Sequence, residues 1–73
     1  MGKNQHVVPY NGQWAVKGED NSKISRVTST QQEAIDIAKV IAKNQEAELL
    51  IHKRNGQIRN RNSYGNDPFP PIN

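Results

Sequence analysis

Apolar and polar positions alternate with a period of two on both sides of two Asn-Gly pairs, a pattern that predicts two β-hairpins. Asn-Gly supplies the two positive φ angles that a type I′ turn needs, and a two-residue loop fixes which residues lie opposite each other. In the first hairpin this register places four apolar side chains on one face of the sheet: Val7, Pro9, Trp14 and Val16. Trp14 is therefore predicted to be a central core residue.

The second hairpin is predicted to have a basic face. A two-residue loop at Asn55-Gly56 pairs His52 with Arg59 and places four candidate nucleic-acid-binding residues on one solvent face: His52, Arg54, Arg59 and Arg61. Cations that alternate along paired strands can follow a phosphate backbone. Lys17 and Tyr10, on the outer face of the first hairpin, would extend this surface if the two hairpins share it. The alternative is a solvated face whose long side chains deter edge aggregation.

The segment between the hairpins predicts a short strand over residues 23–28 and a helix over residues 31–44. Thr30 and Glu33 have the spacing of a capping box at the start of that helix. At 100° per residue, the apolar side chains of the helix fall in one arc: Ala34, Ile35, Ile37, Ala38, Ile41 and Ala42. The sequence thus predicts an α+β fold of order ββ(β)αββ, in which one amphipathic helix covers a small antiparallel sheet.

The 73 residues are enough for one small domain and a tail. We expect the single α+β domain to span residues 1–62. Residues 63–73 contain three of the four prolines and predict an extended tail. Tyr64 is expected to fold back over the core, whereas Phe69 and Ile72 at the end are expected to fray or to dock into a partner.

Composition excludes several classes of protein. The chain has no cysteine, so it can form neither a disulfide framework nor a cysteine zinc site, and it suits a reducing cytoplasm. Apolar runs are too short for a signal peptide or a membrane span, so we expect no membrane partner. The net charge of +3 permits an anionic partner without requiring one.

Catalytic motifs are absent from the sequence. No nucleophile with a base, no carboxylate pair and no phosphate-binding glycine loop occurs at usable spacing. His6 and His52 could cooperate as metal ligands or as a general base and its partner. Neither has an acidic neighbour in the predicted arrangement, so we expect no enzyme activity, no metal site and no cofactor.

Several short motifs together are similar to one bacterial family. They are Val7-Val8-Pro9, Gly12-x-Trp14-Ala15-Val16, Thr30-x-x-Glu33-Ala34-Ile35, Leu49-x-Ile51-His52 followed by Asn55-Gly56-x-Ile58, and Ser63-Tyr64-Gly65-Asn66-Asp67-Pro68. Over residues 6 to about 70 the chain resembles the domain of unknown function 2188. The resemblance implies a compact ββ(β)αββ domain, with no established activity or ligand and no functional residues to transfer.

The sequence predicts a small non-enzymatic binding or accessory protein whose partner is unknown. Nucleic acid, contacted through the basic hairpin face, is the first expectation. The alternative is a protein interaction module or a homodimer that uses the C-terminal tail or the helix-free face of the sheet. Three apolar residues are predicted on that face, where a homodimer would bury them: Val8, Ala15 and Leu50.

Overall fold

A computed structural model describes residues 3–19 and 24–64, which form a five-stranded sheet with one helix packed on one of its faces. The elements are β1 (Gln5–Tyr10), β2 (Gln13–Gly18), β3 (Ile24–Thr28), α1 (Gln31–Asn44), β4 (Glu48–His52) and β5 (Ile58–Ser63). The predicted α+β class is confirmed. In the part of the chain that the structure describes, no helix is long and apolar enough to cross a membrane.

The strand order is β3-β2-β1-β4-β5, so β1 lies at the centre of the sheet. β1 pairs with β4 in parallel, and all the other neighbours are antiparallel. The predicted purely antiparallel sheet is therefore wrong, and the sheet is mixed. The reason is the helix: α1 carries the chain across the sheet after β3, and such a crossover returns the next strand in the same direction as its neighbour.

The two Asn-Gly turns differ in length. Asn11 and Gly12 both have positive φ, and Tyr10 lies opposite Gln13. In the second hairpin the Lys53 carbonyl accepts the Gly56 N–H, and Lys53 pairs with Gln57 around a three-residue loop. A three-residue loop of this kind ends in a left-handed glycine, as Gly56 does with φ +92°.

The longer loop shifts the register of the second hairpin. His52 lies opposite Ile58 instead of the predicted Arg59. Ile51 lies opposite Asn60, so Arg59 is an extra residue, and this β-bulge restores the register beyond it. The bulge changes the direction in which the Arg59 side chain can leave the strand.

Helix α1 begins where the capping pattern predicts. The Thr30 hydroxyl accepts the Glu33 backbone N–H at 3.2 Å, which satisfies one of the free donors of the first turn. Alanines on the inner face of the helix are fully buried and allow it to lie close to the sheet. The buried core consists of Val7, Trp14, Val16, Ala34, Ala38, Ala42, Leu49 and Ile51. Trp14, with 6% of its surface exposed, is the core residue that the hairpin pattern predicts.

The chain after β5 returns to the core. β5 ends at Ser63, one residue beyond the predicted boundary of the domain, and the next residue, Tyr64, packs against the core cluster. The Tyr64 backbone N–H donates to the Ala47 carbonyl at 3.1 Å, and the Lys43 ammonium lies 5.5 Å from the Tyr64 ring centre. The predicted positions of Phe69 and Ile72 lie outside the described residues.

The helix-free face of the sheet is less open than the sequence predicts. Ala15 is fully buried and Leu50 is 4% exposed, although no described helix covers them. Leu50 lies between His6 on β1 and Arg61 on β5, whose longer side chains rise on both sides of it. The expectation that Ala15 and Leu50 are exposed on this face, to be buried by a homodimer, is therefore wrong, and Val8 is half-buried.

Candidate functional site

Parallel pairing of β1 with β4 brings the two histidines of the chain together. His6 lies opposite Leu50, and His52 lies two residues further along β4, on the same face. The His6 Nδ1 and His52 Nε2 atoms are 2.9 Å apart, and the ring centres are 5.2 Å apart. Two residues that are 46 positions apart in the sequence thus form a hydrogen-bonded pair on the helix-free face.

An acidic residue completes this cluster at one end. The His6 Nε2 atom lies 3.1 Å from Glu19 Oε1, which corrects the expectation that neither histidine has an acidic neighbour. Asn4 holds Glu19 in place by two hydrogen bonds. The Asn4 side-chain amide donates to Glu19 Oε1 at 3.3 Å, and the Asn4 backbone carbonyl accepts the Glu19 backbone N–H at 2.8 Å. The pKa of the Glu19 carboxyl lies below its ordinary value of 4.5, chiefly because of the hydrogen bond to His6 and then that from Asn4.

A backbone carbonyl completes the other end. The His52 Nδ1 atom lies 3.1 Å from the carbonyl oxygen of Gly56 in the β4–β5 turn. Contacts therefore run in one line from Glu19 through His6 and His52 to Gly56, and all four ring nitrogens have a neighbour. We call these four residues the histidine chain.

Three residues of the histidine chain, His6, His52 and Glu19, border a shallow depression of about 230 Å³. Its other walls are Val8, Lys17 and Gly18. Within residues 3–19 and 24–64 no three His, Cys, Asp or Glu side chains are arranged to hold a metal ion. Glu19 contacts the ring nitrogen of His6 that faces away from His52, so these three side chains do not converge on one point.

The rest of the helix-free face combines an apolar row with balanced charges. Across three strands the register places Val27 beside Ala15 and Ala15 beside Val8, and Val27 is 41% exposed. Tyr10 shares this face and is 40% exposed. Among residues 3–19 and 24–64, the charged side chains on or beside this face are two cations and two anions: Lys17, Arg61, Glu19 and Glu48.

The predicted basic face is divided between the two sides of the sheet. Arg61 lies on the helix-free face, where its Nε atom is 3.5 Å from Glu48 Oε1. Arg59, displaced by the bulge, donates to the Gln31 side chain at the start of α1 at 2.7 Å. Arg54 lies over the Trp14 ring, 5.5 Å from its centre. The prediction that His52, Arg54, Arg59 and Arg61 share one face is therefore wrong.

Lys17 and Tyr10 lie on the same face as His52, so the two hairpins do share this surface. Sequence reasoning missed Glu19 and Asn4, which flank the first hairpin. Their signal in the sequence is weak. Only the antiparallel pairing of Gln5 with Gly18 indicates that Asn4 and Glu19 lie side by side, because it brings residue 4 beside residue 19.

The fold and this face define a class of protein, a small two-layer α+β domain with one helix-covered and one helix-free sheet face. Residues 5–64 match the family model described as an uncharacterized protein conserved in bacteria, the domain of unknown function 2188. The chain belongs to this family, as its sequence motifs predict.

A curated relative from Bacillus subtilis (strain 168), the uncharacterized protein YdaT, is 34% identical over 61 residues. The match covers 84% of this chain and 41% of that protein, so the chain spans about two fifths of the length of its relative. No solved structure matches the chain.

Proposed function

We propose that this protein is a small non-enzymatic binding module that acts through the helix-free face of its sheet, and that the partner seated there is a second copy of the chain. The observation that carries the proposal is the exposure of two large apolar side chains on this face, Val27 and Tyr10, set among charges of both signs. The lack of cysteine suits a reducing compartment, and we place the module in the cytoplasm.

The charges on this face favour a partner with a matching pattern. The charges of Lys17 and Arg61 balance those of Glu19 and Glu48. Lys17 and Glu19 lie at the end of β2, whereas Arg61 and Glu48 lie on β5 and β4. In a twofold symmetric contact each patch meets the same patch of the other copy, so a balanced face can be complementary to itself. Phosphate backbones would repel the two carboxylates.

The area of the face sets the expected affinity. Five strands spaced at about 4.8 Å, with about 3.3 Å per residue along them, give a face of roughly 400–500 Å². That is below the roughly 800 Å² that one partner contributes to a standard interface. We therefore expect a weak dimer that forms at micromolar concentrations or above and dissociates on dilution.

Nucleic acid is the less favoured partner because the cations are divided. Arg54 and Arg59 contact groups on the helix side, and Arg61 is engaged by Glu48. A phosphate backbone that follows one face meets fewer cations than the sequence predicts, and affinity for nucleic acid falls with each phosphate contact that is lost.

Sedimentation velocity over a concentration series tests the proposal. The unmodified chain should shift from monomer to dimer as its concentration rises. Val27→Lys should weaken this association at least tenfold, because it replaces an exposed apolar side chain of the contact, on the edge strand β3, with a charge that must lose its water. Val40→Lys is the matched control, since Val40 is 58% exposed on the opposite side of the molecule and the change in charge is the same.

A monomer at several hundred micromolar, or equal weakening by both substitutions, would refute the homodimer. Labelled duplex DNA and RNA are titrated with the same samples. We expect no change in anisotropy at about 0.15 M salt, where interactions between exposed charges are largely screened beyond about 8 Å. Binding that Val27→Lys leaves intact and that weakens steeply with salt would instead establish the nucleic-acid alternative.

A further inference from the structure

We propose that His6 and His52 share one extra proton beyond those of two neutral rings and so form a pH-sensitive latch. The latch holds the β4–β5 turn and the segment at Glu19 against β1 and β4 on the helix-free face. The inference rests on the geometry of the histidine chain and not on self-association. It assigns a role to the only two histidines of the sequence.

The number of protons follows from the partners at the two ends of the chain. Glu19 offers a carboxylate oxygen and Gly56 a carbonyl oxygen, and both can only accept. His6 Nε2 and His52 Nδ1 must therefore both carry protons. The central contact, 2.9 Å between His6 Nδ1 and His52 Nε2, needs a third. Two neutral imidazoles carry only two protons between them, so the intact chain holds one extra proton and one positive charge.

A second extra proton would break the chain. It would put two N–H groups face to face at the central contact, where neither has an acceptor. Loss of the extra proton also weakens the chain, because one of the three contacts then lacks a hydrogen. The latch is therefore complete only while the pair holds one extra proton.

The surrounding charges favour this intermediate state. Glu19 on the segment after β2 stabilises the first extra proton, whereas Lys17 on β2 opposes the second. Arg61 on the edge strand β5 lies 3.5 Å from Glu48 of β4, and its charge also lowers the pKa of Glu19. Glu19 itself stays ionised, because its hydrogen bonds lower its pKa.

Proton linkage gives the dependence of stability on pH. In the unfolded chain each histidine titrates independently near about pH 6.5. Above that pH the unfolded chain holds fewer extra protons than the folded chain, so stability falls as pH rises. Below it the unfolded chain holds two and the folded chain one, so stability rises with pH. The folding constant should therefore pass through a maximum near about pH 6.5, with limiting slopes of about tenfold per pH unit on either side.

Urea denaturation of the full chain at a series of pH values between about 5 and 8.5 tests the latch around the ordinary histidine pKa. The unmodified chain should show the maximum, and His6→Gln should abolish it. Lys53→Gln is the control, because it also removes one positive charge but its side chain has no contact in the histidine chain. A maximum that survives in His6→Gln would overturn the proposal.

Nitrogen NMR of the two imidazoles gives a readout that needs no variant. Near neutral pH the four ring nitrogens of the unmodified protein should report three protons on the pair, with the second extra proton entering as a separate step at lower pH. Two neutral rings at neutral pH that titrate independently would refute the shared proton even if His6→Gln failed to fold.

Discussion

Replacement of Trp14 by alanine should remove a large part of the stability of this domain. Trp14 lies on β2 and packs against the alanines of α1, with only 6% of its surface exposed. The sheet is covered on one face by a single helix, so this one ring fills a large share of a small core. Among the described residues no other aromatic ring is buried to the same degree, so none could take its place.

The magnitude follows from the buried area. A tryptophan buries about 150–250 Å², and at about 25 cal/mol per Å² this corresponds to about 4–6 kcal/mol. Large core truncations that leave a cavity cost about 3–5 kcal/mol, in agreement with that figure. At about 0.05–0.15 kcal/mol per residue, a domain of this size has a stability of about 4–11 kcal/mol. Trp14→Ala should therefore remove between about one third and all of the stability of the domain.

Circular dichroism during urea denaturation is the suitable assay, because the variant lacks the sole tryptophan of the chain and its fluorescence. Arg54→Ala is the control. It removes the guanidinium 5.5 Å above the Trp14 ring and should cost only about 0.5–1 kcal/mol, as expected for an exposed cation–π contact. A Trp14→Ala variant that loses less than about 1 kcal/mol would refute the reasoning, because such a loss is too small for a buried ring.

Two further predictions concern local contacts. Thr30→Ala should cost about 1 kcal/mol in urea denaturation, because it removes the oxygen that accepts the Glu33 N–H. Ser29→Ala, whose hydroxyl contacts only the exposed Glu33 side chain, should cost less, and equal losses would contradict the cap. Glu19→Gln should reduce the loss of stability in acid. The lowered pKa of Glu19 means that its contribution is present above the ordinary value of 4.5 and is lost as pH falls through the lower folded value. An unchanged acid limb of the stability curve would contradict it.

Local features of this protein follow from the sequence, because each depends on neighbouring residues. Asn11 and Gly12 adopt the positive φ angles that turn the first hairpin, and the Thr30 hydroxyl caps the helix three residues before the backbone N–H it accepts. The apolar arc of α1 packs on the sheet face that carries Trp14. Both apolar faces can be identified from the sequence, because side chains repeat about every 3.6 residues in a helix and every two residues in a strand.

Contacts between distant segments were decided only by the tertiary structure. Nothing in the local pattern shows that β4 enters the sheet beside β1 and parallel to it, and that pairing brings His52 to His6. The extra residue in the second turn shifts a register that Asn-Gly alone predicts to be two residues long, and the compensating bulge turns Arg59 toward the helix. The physical reason is the same in each case. Strand order and register are set by the packing of the complete sheet against α1, and this packing free energy is not contained in any one segment of the sequence.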